Sequence, residues 1–471
     1  MVQIVDNNTF SDHLAEPSSI SYILDSSTLT TPDFPEPNAT SFTPRSSPPH
    51  FPLLCTPSPA ETTAALRWKL LELEISLMGP DSDFCKTHPF ESLSDVPTLT
   101  LRHVLLTCAQ AVANHDLERV AELLHLLEQK VCISGNPLER LGAYMVEGLR
   151  ARLEFSGSKI YRSLNCDTPI SSDMMTYMGF LAEVCPYWKF AYASANAAIL
   201  DAVQNQPALH IIDFQIAQGN QWIALMKSLA ARPGGPPAIR VTGVDDSDSA
   251  HARGGGLDIV GRKLTEVSLN YGVPFVFHEA ATSWKEIEKE RLSLRGGEAV
   301  VVNLPYVMHH VPDESVSTWN HRDRILRLVK SLSPNVVTLM EQESNTNTAP
   351  FYPRFVETVD YYSAMFESID VARPRNDGER INAEQHCVAR DVVNMISCED
   401  AERVERHELL EKWRSRLRMA GFVQQPMGAS AGYAVLELLK KYDRNFRVAE
   451  AGGVLYLMWK NRAMVTSSAW L

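Results

Sequence analysis

The residues best suited to chemistry stand in and around ALHIIDFQIAQGNQW, from Ala208 to Trp222, where an apolar run ends in Asp213 and passes through Gly219 into a helix. In a nucleotide-binding α/β protein, such a turn carries several glycines, which let the backbone approach a cofactor and the helix pack on the strand. Gly219 is the only glycine in this turn, and Phe214, Gln215, Ile216 and Gln218 fill the rest of it with side chains. That crowding argues against a phosphate cradle. Asp213 can still hydrogen-bond the turn, and Gln218, Asn220 and Gln221 could read a polar ligand; a plain strand-to-helix connection is the competing reading. Asp245 and Asp246 end a second apolar run where a ribose-binding acid would sit, although turn hydrogen bonds would also use them. Asp213, Gln218, Gln221 and Asp245 therefore make up a candidate polar pocket. His309-His310 could serve as a metal or acid/base pair, but no cysteine or third histidine is spaced to complete a site. No catalytic residue, metal or cofactor is assigned.

These positions fall where strand and helix alternate. ALHIIDF, AIRVTGVDD, PFVFHEA, EAVVVNL and NVVTLME read as strands, separated by helical patterns at Trp222 to Ala231, Leu257 to Tyr271, Ser283 to Leu292 and Arg322 to Leu332. Continuous apolar strands with helical crossovers predict a parallel, doubly wound sheet. The end of the chain predicts antiparallel strands at Phe446 to Ala449, Val454 to Trp459 and Ala463 to Trp470, with a turn at Gly452-Gly453. Five parallel strands closed by antiparallel ones are also the plan of class I methyltransferases, and Asn303-Leu304-Pro305-Tyr306 resembles a motif of some amino-methylating enzymes. The expected fold is thus α/β, a methyltransferase-like Rossmann core over residues 206–471 whose crowded turn argues against methyl transfer.

Residues 99–205 read as a helical cap on this core. Leu101, Val104, Leu105, Cys108 and Val112 line one helix; Asp116 caps a second, with Leu117, Val120, Leu124 and Leu127 as its stripe. Pro186 separates two further helices. Residues 61–98 predict one short helix and a linker. Residues 1–60, rich in proline and serine with Arg45 as the single base, predict a disordered tail.

The chain has 471 residues and a formal net charge of −13, which opposes non-specific attraction to nucleic-acid phosphates. Direct DNA contact would rest on a local patch, for which Arg324, Arg327 and Lys330, about a helical turn apart, are the candidates; a solvated outer helix face is the plainer reading. No apolar run approaches the roughly 20 residues of a membrane span, and the N-terminus lacks a secretory pattern. Synthesis is expected to end in the cytosol, with nuclear entry open. The eight cysteines form no close pairs and read mostly as buried thiols.

Taken together, five blocks resemble the GRAS family of plant regulatory proteins over roughly residues 99 to 471. Leu101 to Leu153 resembles its first leucine-rich region, His210-Ile211-Ile212-Asp213 with Gln218-Gly219 and Gln221-Trp222 its VHIID block, and Leu257 to Tyr271 its second leucine-rich region. Pro350-Phe351-Tyr352 with Arg403 to Glu408 resembles the PFYRE block. Trp413, Gly421, Trp459 and Ser468-Ala469-Trp470 resemble the SAW block. Leu209 stands where the family pattern has valine. LRWKLLELEISLMGPDS and EQESNTNTAPFYPRFVETVDYYSAMFESIDV resemble the branch associated with phytochrome-A signal transduction, which makes the chain similar to a scarecrow-like protein. The resemblance implies a nuclear or nucleocytoplasmic transcriptional regulator that acts through other transcription factors and through homo- or heterodimers with GRAS proteins, reaching DNA directly or through those partners.

Within the cap, Leu123, Leu126 and Leu127 satisfy LxxLL, a pattern whose leucines can enter a partner's groove. Burial inside the helical cap is the competing role. Trp413, Trp459 and Trp470 are expected to pack, and Gly421 to end the helix EKWRSRLRMAG. Arg403, Glu405, Arg406 and Glu408 suit either structural salt bridges or a partner surface.

Overall fold

Strand β1 (Ala208–Asp213) lies inside a sheet whose order is β3-β2-β1-β4-β5-β9-β8-β7. The computed structural model describes residues 100–157, 171–245, 256–284 and 286–471. The tail predicted at 1–60, the helix and linker at 61–98, Asp246 and the side chain of Asp245 lie outside the described residues.

β2 (Ala238–Asp245), β3 (Phe275–Ala281), β4 (Ala299–Pro305) and β5 (Val336–Gln342) run parallel to β1, in register Ile211 opposite Val241 and Val301, and Val301 opposite Val336. Burial on both faces explains their unbroken apolar runs: all seven residues of β4 are buried. β7 (Phe446–Ala451), β8 (Val454–Trp459) and β9 (Arg462–Trp470) are antiparallel, and β9 joins β5 with Leu339 opposite Ser468. Gly452 and Gly453 make the β7–β8 turn, both at positive φ. A two-residue strand, β6 (Gln424–Gln425), also pairs with β9. The fold is therefore α/β, mostly parallel with antiparallel C-terminal strands.

The helices α6 (Asn220–Ala230), α7 (Leu257–Tyr271) and α8 (His321–Ser331) follow β1, β2 and the exit of β4. The segment from Ser283 to Leu292, expected to be helical, forms only a 3₁₀ turn at Lys289–Leu292. Its buried apolar residues are Ile287 and Leu292, two anchors that do not make a helical stripe.

The cap is built from α1 (Leu101–Ala113), α2 (Leu117–Lys130), α3 (Pro137–Leu153), α4 (Ser171–Val184) and α5 (Tyr187–Ala202). Thr100 and Asp116 cap α1 and α2, and Asn136 with Glu139 forms a capping box on α3. A second segment joins them. α9 (Phe351–Asp370), α10 (Gly378–Ala383), a π-helical turn (Glu384–Ala389) and α11 (Arg390–Ser397) pack on α1, α3 and α4. Residues 351–397, placed with the α/β core by the domain limits above, therefore extend the cap. The reason is Arg140 on α3: it donates to Glu384, Asp370 and the Phe366 carbonyl, long-range bonds that local periodicity does not carry.

α12 (Leu410–Met419) ends at Ala420, where Gly421 at φ +89° allows Phe422 N–H to reach the Leu417 carbonyl and Gly421 N–H the Arg418 carbonyl. This is a Schellman stop. α13 (Ala429–Leu439) packs on α5 and β7.

A closed turn beside an open cavity

Ligands of doubly wound folds bind outside the carboxyl ends of the strands, where the strand order reverses. Here that point lies between β1 and β4. Asp213 ends β1, and one carboxylate oxygen accepts from Trp222 Nε1 at 2.8 Å, the other from Gln215 N at 3.1 Å. Gln221 Nε2 donates to Asn196 at 3.2 Å, and Asn303 Nδ2 donates to Gln221 at 3.0 Å. Asp213, Gln221, Trp222 and Asn303 are all buried, as are Phe214 and Ile216. Trp222 and Asp213 thus hold the turn shut from within. Gly219 takes φ +72°, and a Cβ there would meet Val260 at 3.0 Å; that space belongs to the helix–helix contact with α7, not to a ligand.

Of the four candidate pocket residues, Asp213 and Gln221 share one internal network. Gln218 is half-buried and lines a cavity of about 420 Å³ with Trp188, Tyr192 and Asn196. Asp245 ends β2, with Ala281 opposite it.

His210 packs in the same layer. Arg240 Nη2 lies 3.0 Å from its Nδ1, and Thr242 Oγ1 lies 2.7 Å from its Nε2. A guanidinium only donates, so Nδ1 carries the lone pair and Nε2–H donates to Thr242. Burial and the Arg240 charge depress His210 to about 4.

An open space does exist over the ends of β1, β4 and β5. A cavity of about 190 Å³ is lined by Gln215, Tyr306 and Gln342, which follow or end these strands, and by Trp188, Arg390 and Asp391 from the cap. Gln215, with its amide nitrogen turned to satisfy both its atoms, donates to the carbonyls of Tyr306 at 2.8 Å and Pro305 at 2.9 Å. Tyr306 stands at φ +53°, an uncommon conformation for a bulky residue. Its hydroxyl donates to Tyr187 O at 2.8 Å, and its ring meets Trp188 edge-on at 4.5 Å. Backbone strain of this kind persists only where packing over-determines it.

His309 and His310 border this cavity, and the fold brings them partners from far along the chain. Glu341 in β5 lies 2.6 Å from His309 Nδ1, and Glu405 lies 3.4 Å from its Nε2. Burial opposes a charge on His309, but Glu341 and Glu405 outweigh it and raise its pKa to about 10. His407 lies against His309 at 4.3 Å between ring centres, the planes tilted by 34°, and burial with the His309 charge holds it well below the usual histidine range. Burial and the Glu405 charge push Asp391 up to about 7. Spacing around His309-His310 did not reveal the third histidine, because it arrives with the segment Arg403 to Glu408.

That segment is interior: Arg403, Glu405, Arg406, His407 and Glu408 are all buried. Arg416 on α12 bonds Glu408 at 2.7 Å and Asp313 at 2.8 Å, while Arg322 on α8 bonds Glu408 at 3.0 Å and lies over the Trp413 ring at 4.9 Å. Asn347 donates to Glu408 at 2.8 Å, and Ser315, Arg322 and Asn347 hold Asp313 down to about 2 despite its burial. Structural salt bridges, rather than a partner surface, are thus what these residues form.

The remaining candidates separate by burial. Leu123 and Leu127 lie in the core, Leu126 is half-buried against it, and Leu117, expected in the α2 stripe, is exposed. On α8, Arg324 donates to the carbonyls of Ile287 and Trp284, Lys330 stands 5.0 Å from the Phe422 ring, and Arg327 is exposed. Trp413, Trp459 and Trp470 are buried; Trp459 Nε1 donates to Glu367 and Trp470 Nε1 to Ser468. Tyr361 and Tyr362 are buried, so packing is the role the fold gives them.

Comparisons with known proteins agree with this arrangement. The chain is 56% identical over 430 residues to Scarecrow-like protein 13 of Arabidopsis thaliana, covering 89% of this chain and 81% of that protein. It is 52% identical to Scarecrow-like transcription factor PAT1 of Arabidopsis thaliana, covering 85% of each. The crystal structure of SCL7 in Oryza sativa matches with a TM-score of 0.69 and 32% identity, covering 79% of this chain and 99% of that one. The model of the GRAS domain family matches residues 101–471, and the chain belongs to that family.

Proposed function

We propose that this protein regulates transcription in plants and works mainly by holding other proteins. The observation that carries the reading is the match over residues 101–471, together with 52% identity to a relative whose name is Scarecrow-like transcription factor PAT1. The resemblance of LRWKLLELEISLMGPDS and EQESNTNTAPFYPRFVETVDYYSAMFESIDV supports the phytochrome-A signalling branch. The partners are other transcription factors and GRAS proteins, as homo- or heterodimers, and the protein works in the nucleus and also in the cytoplasm. Among the described residues, no helix is long and apolar enough to cross a membrane.

A net charge of −13 favours reaching DNA through partners over direct binding. On α8, Arg327 is the candidate base most open to a phosphate, because Arg324 and Lys330 are engaged within the protein. The second reading, a small-molecule-binding or methyl-transferring protein, draws on the cavity of about 190 Å³ at the strand ends. The closed Asp213–Trp222 turn disfavours it.

Two measurements on the full chain test this. DNA binding is followed against salt with and without a partner transcription factor: partner-dependent retention with a shallow salt slope supports indirect recruitment, and a steep slope for the chain alone supports direct contact. Calorimetry with S-adenosylmethionine addresses the second reading, and stoichiometric heat would overturn the first.

A further inference from the structure

His309 and His310 leave the end of β4, Glu341 belongs to β5, and Glu405 arrives from the segment before α12. The bond from His309 Nδ1 to Glu341 fixes that ring, so that Nε2 faces Glu405 Oε2 at 3.4 Å. His310 Nε2 lies 3.2 Å from Glu405 Oε1. Donor atoms of His309, His310 and Glu405 all lie within 4.8 Å of one another. The surroundings are under-satisfied: His407 is almost wholly buried, and among the described residues neither of its ring nitrogens has a hydrogen-bond partner. His407 Nε2 is 3.5 Å from Glu405 Oε2. A buried polar group that nothing meets is costly, and unmet groups in a native interior point to an ion or water.

The spacing favours an ion. Direct hydrogen bonds from a ring nitrogen to a carboxylate run about 2.7–2.9 Å, as His309 to Glu341 nearly does. A tetrahedral ion holding nitrogen and oxygen at about 2.0–2.2 Å places neighbouring donors about 3.3–3.5 Å apart; His309 Nε2 lies 3.4 Å from one Glu405 oxygen and His310 Nε2 3.2 Å from the other, so the carboxylate faces both rings near that spacing. We propose that His309 Nε2, which gives up its proton to solvent as the metal enters, His310 Nε2 and the Glu405 carboxylate bind a divalent transition-metal ion, foremost Zn²⁺. Two imidazoles and a carboxylate suit zinc, whereas Ca²⁺ and Mg²⁺ take oxygen donors. Glu341 acts from behind as the carboxylate that orients a metal-bound histidine. His407 is the neighbouring residue whose ring nitrogens make no hydrogen bond among the described residues. His310 retains 30% side-chain exposure and lines the cavity, which gives the ion an entrance. The ion ties the exit of β4 to the segment at Arg403 to Glu408, so its role is to fix the cavity wall.

The test uses the full chain, stripped with a chelator and titrated with zinc sulfate by calorimetry and with Co²⁺ by visible absorption. Expected are one tight equivalent of Zn²⁺, a raised melting temperature, and Co²⁺ ligand-field bands of a four- or five-coordinate site. Histidines elsewhere can bind zinc weakly, so the deciding comparison is with His310→Ala, whose partly exposed side chain is the ligand least needed for folding. It should lose at least tenfold in affinity and lose the Co²⁺ bands, and Glu341→Gln should lose about 10–100-fold through the orienting bond. Equal zinc affinity in wild type and His310→Ala, or no ligand-field band in the wild type, would overturn the proposal. Should a variant fail to fold, the wild-type Co²⁺ spectrum decides alone.

Discussion

Arg140 and Glu384 meet as a two-point ion pair across the cap: Nε donates to Oε2 at 3.1 Å and Nη2 to Oε1 at 3.0 Å, with neither side chain reaching solvent. Arg380 adds a third contact to the same carboxylate at 2.5 Å. Glu384 begins the π-helical turn whose His386 and Val388 line the cavity, so this pair joins the two sequence segments of the cap at the cavity edge.

Replacing Glu384 with alanine takes the carboxylate from the buried Arg380 guanidinium and leaves Arg140 with Asp370 as its acidic partner. The expected loss is about 3–5 kcal/mol, because an uncompensated buried charge costs more than the pair contributes. Arg140→Met/Glu384→Met should recover part of it. Urea unfolding measures both, and a Glu384→Ala loss below about 1 kcal/mol would refute the assignment.

The Asp213–Trp222 bond closes the turn after β1. Trp222→Phe keeps an aromatic ring but removes the indole N–H that donates to a buried carboxylate, so about 1–3 kcal/mol should be lost. Thermal unfolding checks this against Trp319→Phe, an exposed control. Matching effects in the two variants would mean that the indole N–H does not hold the turn.

His210 predicts a pH dependence. It is neutral and depressed to about 4 by burial and Arg240, with Glu298 opposing and His278 adding to the shift; the unfolded chain binds a proton near 6.5. Between these values the unfolded state carries the extra proton, so stability falls as pH drops, by up to about 1.4 kcal/mol per unit and about 3 kcal/mol in full below pH 4. The penalty is absent above pH 6.5. The difference in urea midpoint between wild type and His210→Asn, followed from pH 7 to 4.5, should shrink as acid is added. A constant difference contradicts the assignment.

Leu123 and Leu126 separate packing from docking. Leu123→Ala should cost about 2–5 kcal/mol as a core truncation, and Leu126→Ala less, since that side chain is half-buried. Capture of a partner transcription factor should weaken only as far as folding does. Abolished capture by Leu126→Ala with an unchanged melting temperature would restore LxxLL as a docking motif.

The strands were readable because burial on both faces writes itself as unbroken apolar runs: AVVVNLP is buried throughout. Gly452-Gly453 marked its turn, since both residues need positive φ. The closed turn was half readable. Missing glycines showed that it was crowded, but Asn303 and Asn196, which complete its network, carry no local signal. Glu405 and His407 were hidden for the same reason: 96 residues separate His309 from Glu405 in the numbering, and only the packing of Arg403 to Glu408 beneath α8 unites them. The second half of the cap is not legible locally, because α9 opens on the Pro350-Phe351-Tyr352 block while its partner helices lie some two hundred residues upstream.

β9 has one further consequence, for inheritance. It stands between β5 and β8, bonded to both, and strand β6 also depends on it. A nonsense or frameshift allele that removes residues from Arg462 onward would leave β5 with an open edge ready to pair with other chains. Such late alleles should behave as nulls, cleared by quality control, while missense changes on the exposed face of α13 would pass with little effect on protein level.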